Sequence, residues 1–169
     1  MSHISKYDHQ AATSQVTIAG LDEALGENIH PSQNVLLLGP PPSGKFTLAI
    51  QFLASGLRAR ECALLVTTAD TPSAIKKRVR ATGWNLEGYE KQGELMYVTC
   101  HRTDGTAAGV TASTERENLE NTLVKISSII SGFQGQGRKL RFVFDNLTTL
   151  LDHNGFRNVA MFRHQLMGI

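Results

Sequence analysis

Four short runs of the chain are apolar nearly throughout, at 35–38 (VLLL), 63–67 (ALLVT), 95–99 (LMYVT) and 140–144 (LRFVF). None of them alternates apolar with polar positions. That is the pattern of strands buried on both faces, as in a parallel sheet covered by helices. The segments between them read as helices. Residues 46–57 are apolar almost all round, which predicts a well-buried helix. Residues 73–81 follow Thr71 as an N-cap and Pro72 at the first turn, and Gly83 marks a stop. Only Ile75 and Val79 give that helix an inner stripe, because Lys76, Lys77, Arg78 and Arg80 make its remainder basic. A third helix is expected over 115–130. Thr114 and Glu117 have capping-box spacing, and Leu119, Leu123, Ile126 and Ile130 line one face.

Strand and helix in alternation predict an α/β fold with a right-handed, doubly wound, largely parallel sheet. Residues 102–113 and 132–139, rich in small residues or glycine, read as exposed loops. There is no internal repeat, and the sequence ends at Ile169 in a further helical stretch.

Composition narrows the class. The 169 residues suit one domain; 41% are apolar and 19% charged, as in a soluble globular protein. A net charge of +2 makes no global demand for nucleic acid. No apolar stretch approaches the roughly 18 residues that would span a bilayer. Residues 1–15 are polar and read as a flexible tail, with 16–169 as the single domain. Cys62 and Cys100 lie in or beside apolar runs and form no C-x-x-C pair. They read as two buried thiols of a reduced, cytoplasmic protein.

The candidate chemistry begins at Gly39-Pro40-Pro41-Pro42-Ser43-Gly44-Lys45, which has the G-x-x-x-x-G-K spacing of a phosphate-binding loop. It lies between an apolar run and a helix-like segment. Backbone amides and the positive end of a helix therefore face one point, a device suited to polyphosphate. Gly39 and Gly44 allow close backbone approach, the amides around Ser43, Gly44 and Lys45 are donors, and the Lys45 ammonium suits β- and γ-phosphate oxygens. Pro42 offers no amide proton and stiffens the cradle. Phe46 stands where a Ser or Thr hydroxyl normally binds Mg²⁺. Thr47 is the next residue, but adjacent helical positions point about 100° apart, so it does not simply substitute. Downstream, 140–145 (LRFVFD) is a strand ending in Asp145, the shape of a Walker B element whose carboxylate holds Mg²⁺ through water.

Taken with 20–25 (GLDEAL), 47–53 (TLAIQFL), 66–72 (VTTADTP), 83–86 (GWNL) and 144–148 (FDNLT), these motifs resemble the RecA-like ATPases, and their KaiC/RadA branch in particular. The resemblance covers about residues 16–151. It implies a RecA-like core that binds ATP or ADP with Mg²⁺ and assembles into rings or filaments with itself or with a related subunit. It also implies an acidic pair after the second core strand, whose first Glu polarises the attacking water. Ala69-Asp70 stand there instead. Two readings of Asp70 remain, a shorter catalytic carboxylate one place late, or a turn residue before Pro72. The resemblance further implies a fifth core strand beyond the fourth apolar run, which the sequence to Ile169 does not supply.

With positions 46 and 69 altered, ATP or ADP binding with weak or absent hydrolysis is expected, and nucleotide would control assembly or regulation. Two alternatives stand beside it. One is an active ATPase completed in trans within a ring or filament; the other is a DNA-binding recombination accessory, with Lys76, Lys77, Arg78 and Arg80 as its patch. A solvated helix face is the favoured reading of that patch. Trp84 reads as a core anchor, and neither His101 with Cys100 nor His153 with His164 has metal-ligand spacing. Residues 111–114 read as a polar loop.

Overall fold

A computed structural model describes residues 18, 33–68, 70–100, 112–113 and 119–169. The chain divides into two units, Met1–Leu36 and Leu37–Ile169, and the fold below is that of the second.

Its elements run α1 (Lys45–Arg58), β1 (Cys62–Thr67), α2 (Pro72–Ala81), α3 (Glu87–Lys91), β2 (Leu95–Thr99), β3 (Ala112–Ser113), α4 (Leu119–Gly135), β4 (Leu140–Asp145) and α5 (Leu147–Leu166). The strands form one sheet in the order β3-β2-β1-β4. Every pairing is parallel. β1 lies between β2 and β4 and is buried along its whole length, as its unbroken apolar run demands.

Successive side chains of β1 face opposite sides of the sheet and seed two cores. Ala63 and Leu65 pack with Ile50, Leu53 and Leu57 of α1, Ile75 and Val79 of α2, and Tyr97. Leu64 and Val66 pack with Ile126 and Ile130 of α4 and Val159 and Phe162 of α5. Helices thus cover both faces of the parallel sheet, which is the α/β architecture expected of a RecA-like core.

Three predicted strands form. The fourth, 35–38, does not: residues 33–40 carry no regular structure, and Leu38 is 83% exposed. An apolar run becomes a strand only where a neighbour completes its ladder, and among the described residues β4 pairs on one side alone. The second helix forms as predicted. Thr71 Oγ1 accepts from the Ala74 amide at 3.3 Å, and Gly83 ends the turn at φ 85°.

The helix expected over 115–130 is α4, described from Leu119 and running on to Gly135, so residues 132–135 are helical rather than loop. Nothing within 4 Å crowds Gly132 or Gly135, and the exposed helix end tolerates both. Ala112–Ser113 pairs with β2, so the end of the predicted 102–113 loop is a short strand. The Thr114–Glu117 capping box and His101 lie outside the described residues. The last helix bends at Gly155, whose φ of 73° breaks the helical path.

A buried ion pair ties α1 to the sheet. Arg141 Nε donates to Glu61 at 2.5 Å, and its Nη1 donates to the Ser55 hydroxyl at 2.7 Å and the Phe52 carbonyl at 3.0 Å. Gly56 makes room for this side chain, since a Cβ there would lie 2.5 Å from Arg141 Nε.

Candidate functional site

The loop 39–44 leads straight into α1. Gly44 is the N-cap, in the left-handed region at φ 75°, and no side chain caps the helix. The first intrahelical bond joins the Leu48 amide to the Gly44 carbonyl at 3.0 Å. The amides of Lys45, Phe46 and Thr47 therefore have no acceptor in their own helix, at its positive end. Gly39 is tightly placed: a Cβ there would meet Ser43 Oγ at 2.9 Å. The Pro41–Pro42 peptide is cis. Lys45 Nζ folds back over the loop and donates to the Gly39 carbonyl at 2.6 Å, Ser43 Oγ at 2.8 Å and the Pro40 carbonyl at 3.3 Å. Uncapped amides, a helix end and an ammonium converge here, a donor set that fits a polyphosphate.

The tips of β1 and β4 close the other side. Thr67 is in register with Asp145. The Thr68 amide donates to the Asp145 carbonyl at 3.0 Å, and Thr68 Oγ1 to the Asn146 carbonyl at 2.8 Å. The Asp145–Asn146 peptide is cis. This lacing brings the turn after β1, with Asp70, beside the end of β4.

Arg78 joins the parts. From α2, its Nη1 donates to Asp70 Oδ2 and lies 3.5 Å from Asp145 Oδ2. Its guanidinium carbon sits 3.7 Å from the centre of the Phe46 ring, within cation–π range. Burial raises the Asp145 pKa above the usual carboxylate value. The Asp70 charge adds to that rise, while Arg78 and Lys45 oppose it. Lys45 and Asp145 thus share one electrostatic neighbourhood although a hundred residues separate them.

The structure accordingly brings Phe46, Asp70 and Asp145 together around Arg78, with Gly39, Pro42, Ser43 and Gly44 in the adjoining loop and Lys45 at the first position of α1. Thr47 is exposed and lies one helical step away from Phe46. Position 69 lies outside the described residues. Magnesium finds a poor fit: Phe46 offers no oxygen, and the Asp145 carboxylate already faces a guanidinium. Among the described residues no group of three or more His, Cys, Asp or Glu could hold a metal.

The basic face of α2 is largely committed within the chain. Lys76 pairs with Glu90 at 2.7 Å, Arg80 with Glu87, and Arg78 with the two aspartates, while Lys77 is exposed. Trp84 packs against the core and carries the Arg58 guanidinium 4.4 Å from its ring centre. Sequence reasoning placed Arg78 in a solvated basic face and missed its central position. A cation about two helical turns after Asp70, beside the Val79 of the inner stripe, was the available signal.

This fold and loop define a RecA-like P-loop protein. The KaiC ATPase family matches residues 14–169, and the chain belongs to that family. A UPF0273 protein of Thermotoga maritima is 28% identical over 137 residues, covering 79% of this chain and 54% of that protein. A UPF0273 protein of Pyrococcus horikoshii is 33% identical over 138 residues, covering 79% and 53%. The circadian clock protein KaiC3 of Synechocystis is 30% identical over 81 residues, 48% of this chain and 16% of that protein. The chain spans about half the length of the UPF0273 relatives it matches. Among the described residues no helix is long and apolar enough to cross a membrane.

Proposed function

We propose that this KaiC-like chain binds ATP or ADP at the 39–47 loop, hydrolyses it weakly or not at all, and uses nucleotide occupancy to control assembly with itself or with a related subunit. The observation that carries the reading is the uncapped start of α1 with Lys45 folded across it. Gly39, Ser43, Gly44, Phe46 and Thr47 contribute backbone to the phosphates, Lys45 contributes its ammonium, and Pro42 shapes the loop. Asp145 is the group left to reach Mg²⁺ through water, and its pairing with Arg78 makes that hold weak. Asp70 is ion-paired with the same arginine and so is a poor general base in this arrangement. Metal positioning and water activation are separate needs of phosphoryl transfer, and both are compromised.

Cys62 and Cys100, buried and not joined in a disulfide, support a cytoplasmic protein. Pairing of Lys76, Arg78 and Arg80 with carboxylates argues against DNA as the main partner. The test is ATP turnover measured across protein concentration, with sedimentation velocity run with and without ATP. Little turnover and a nucleotide-dependent change in mass support the proposal. Brisk Mg²⁺-dependent turnover that rises steeply with concentration and vanishes in Lys45→Ala would support an ATPase completed in trans instead.

A further inference from the structure

We propose that the Arg78 guanidinium is a built-in cation that takes the place of Mg²⁺, so that this chain takes the metal-free polyphosphate of a nucleoside di- or triphosphate. The inference rests on the nucleotide-binding reading above and deepens it.

Position 46 and Asp145 are the two groups through which a phosphate loop and the strand beside it would hold the metal. In this chain both are turned toward one organic cation. Phe46 presents a ring face, which attracts a guanidinium but cannot ligate a hard divalent ion that demands oxygen at close to octahedral geometry. Asp70 and Asp145 accept from Arg78 Nη1. The ring, the two carboxylates and the arginine therefore form one closed set, with the guanidinium at its centre.

The charge balance agrees. Lys45 and Arg78 oppose Asp70 and Asp145, two cations against two carboxylates, so these side chains add no surplus of negative charge to that of the polyphosphate itself. Arg78 remains reachable, since its side chain is 40% exposed, whereas those of Asp70 and Asp145 are 16% and 21% exposed. Among the described residues only Nη1 of its nitrogens donates to a carboxylate, which leaves Nη2 and Nε for phosphate oxygens. A planar donor fork suits phosphate, and charge-assisted bonds of this kind are roughly twice as strong as neutral ones. A metal carried in on the nucleotide would instead meet the guanidinium as a like charge.

The test is calorimetric titration with ATP in EDTA and again in excess Mg²⁺, on wild type, Arg78→Gln and the Phe46→Thr/Arg78→Gln double variant, with circular dichroism melts to confirm folding. Wild type is expected to bind in EDTA as tightly as in Mg²⁺ or more so. Arg78→Gln should lose roughly tenfold or more in EDTA. The double variant should recover affinity only when Mg²⁺ is present. Wild-type binding that is tenfold or more tighter with Mg²⁺, or full affinity of folded Arg78→Gln in EDTA, would overturn the inference and leave the nucleotide reading intact. Wild type that binds under neither condition would overturn both. If Arg78→Gln does not fold, the wild-type comparison of EDTA with Mg²⁺ decides alone.

Discussion

The Arg78 guanidinium lies 3.7 Å from the centre of the Phe46 ring, and this stack joins the second helix to the first turn of α1. Phe46, which has no oxygen to offer a metal, thus gives α2 a mooring beside the phosphate loop. Phe46→Leu keeps an apolar side chain but removes the ring face. It should cost roughly 0.5–2 kcal/mol, the range of a cation–π contact. Amide exchange along α2 should quicken, while the amides of β1 keep their protection. Equal exchange in the two proteins would mean that the stack does not hold the helix.

Gly56 should resist even a methyl group. Its Cβ would enter the space of Arg141, whose side chain is 5% exposed and paired with Glu61. Gly56→Ala is expected to lose about 1–3 kcal/mol in urea denaturation through overpacking. Gly88→Ala, with nothing within 4 Å of the new carbon, is the control and should be neutral or slightly stabilising. Glu61→Ala, which strands a buried guanidinium, should cost more, roughly 3–5 kcal/mol. Wild-type stability in Gly56→Ala would show that Arg141 has a second way to pack.

The thiol of Cys62 offers a pH-dependent check. Burial pushes its pKa up; Arg138 works against the rise and Glu94 adds to it. A raised folded pKa means that the native state holds the proton more tightly. The stability this contributes is complete below the unfolded thiol value of about 8.5, and drains away as pH climbs toward the folded value. Unfolding free energy should therefore fall on the alkaline side, and less so in Cys62→Ala. Iodoacetamide should label the native thiol slowly and the urea-unfolded thiol fast. Rapid native labelling at neutral pH would contradict the burial.

What could be read from the sequence follows the range of the interactions involved. The strands around Leu65, Val98 and Val143, and the helix begun by Thr71, are legible because unbroken apolar runs and helix capping are set within a few residues. The 35–38 run is no strand, since an apolar run reports a tendency to burial and not the presence of a ladder partner among the described residues. Gly132 and Gly135 suggested a loop, but an uncrowded helix end accepts both. The phosphate loop was visible as a motif. The Arg78 site was not, because Arg78 and Asp145 stand 67 residues apart and meet only after β1 and β4 pair. Arg141 was a partial signal: a single charge inside an apolar strand requires a buried partner, but nothing local names Glu61.

The central claim is that the 39–47 loop binds nucleotide through Lys45. Its most direct test is calorimetric titration of the wild type and Lys45→Ala with ATP. Micromolar binding by the wild type, weakened at least tenfold in a Lys45→Ala protein that melts normally, is the predicted result. Equal affinity in the two proteins, or no heat of binding in either, would contradict it.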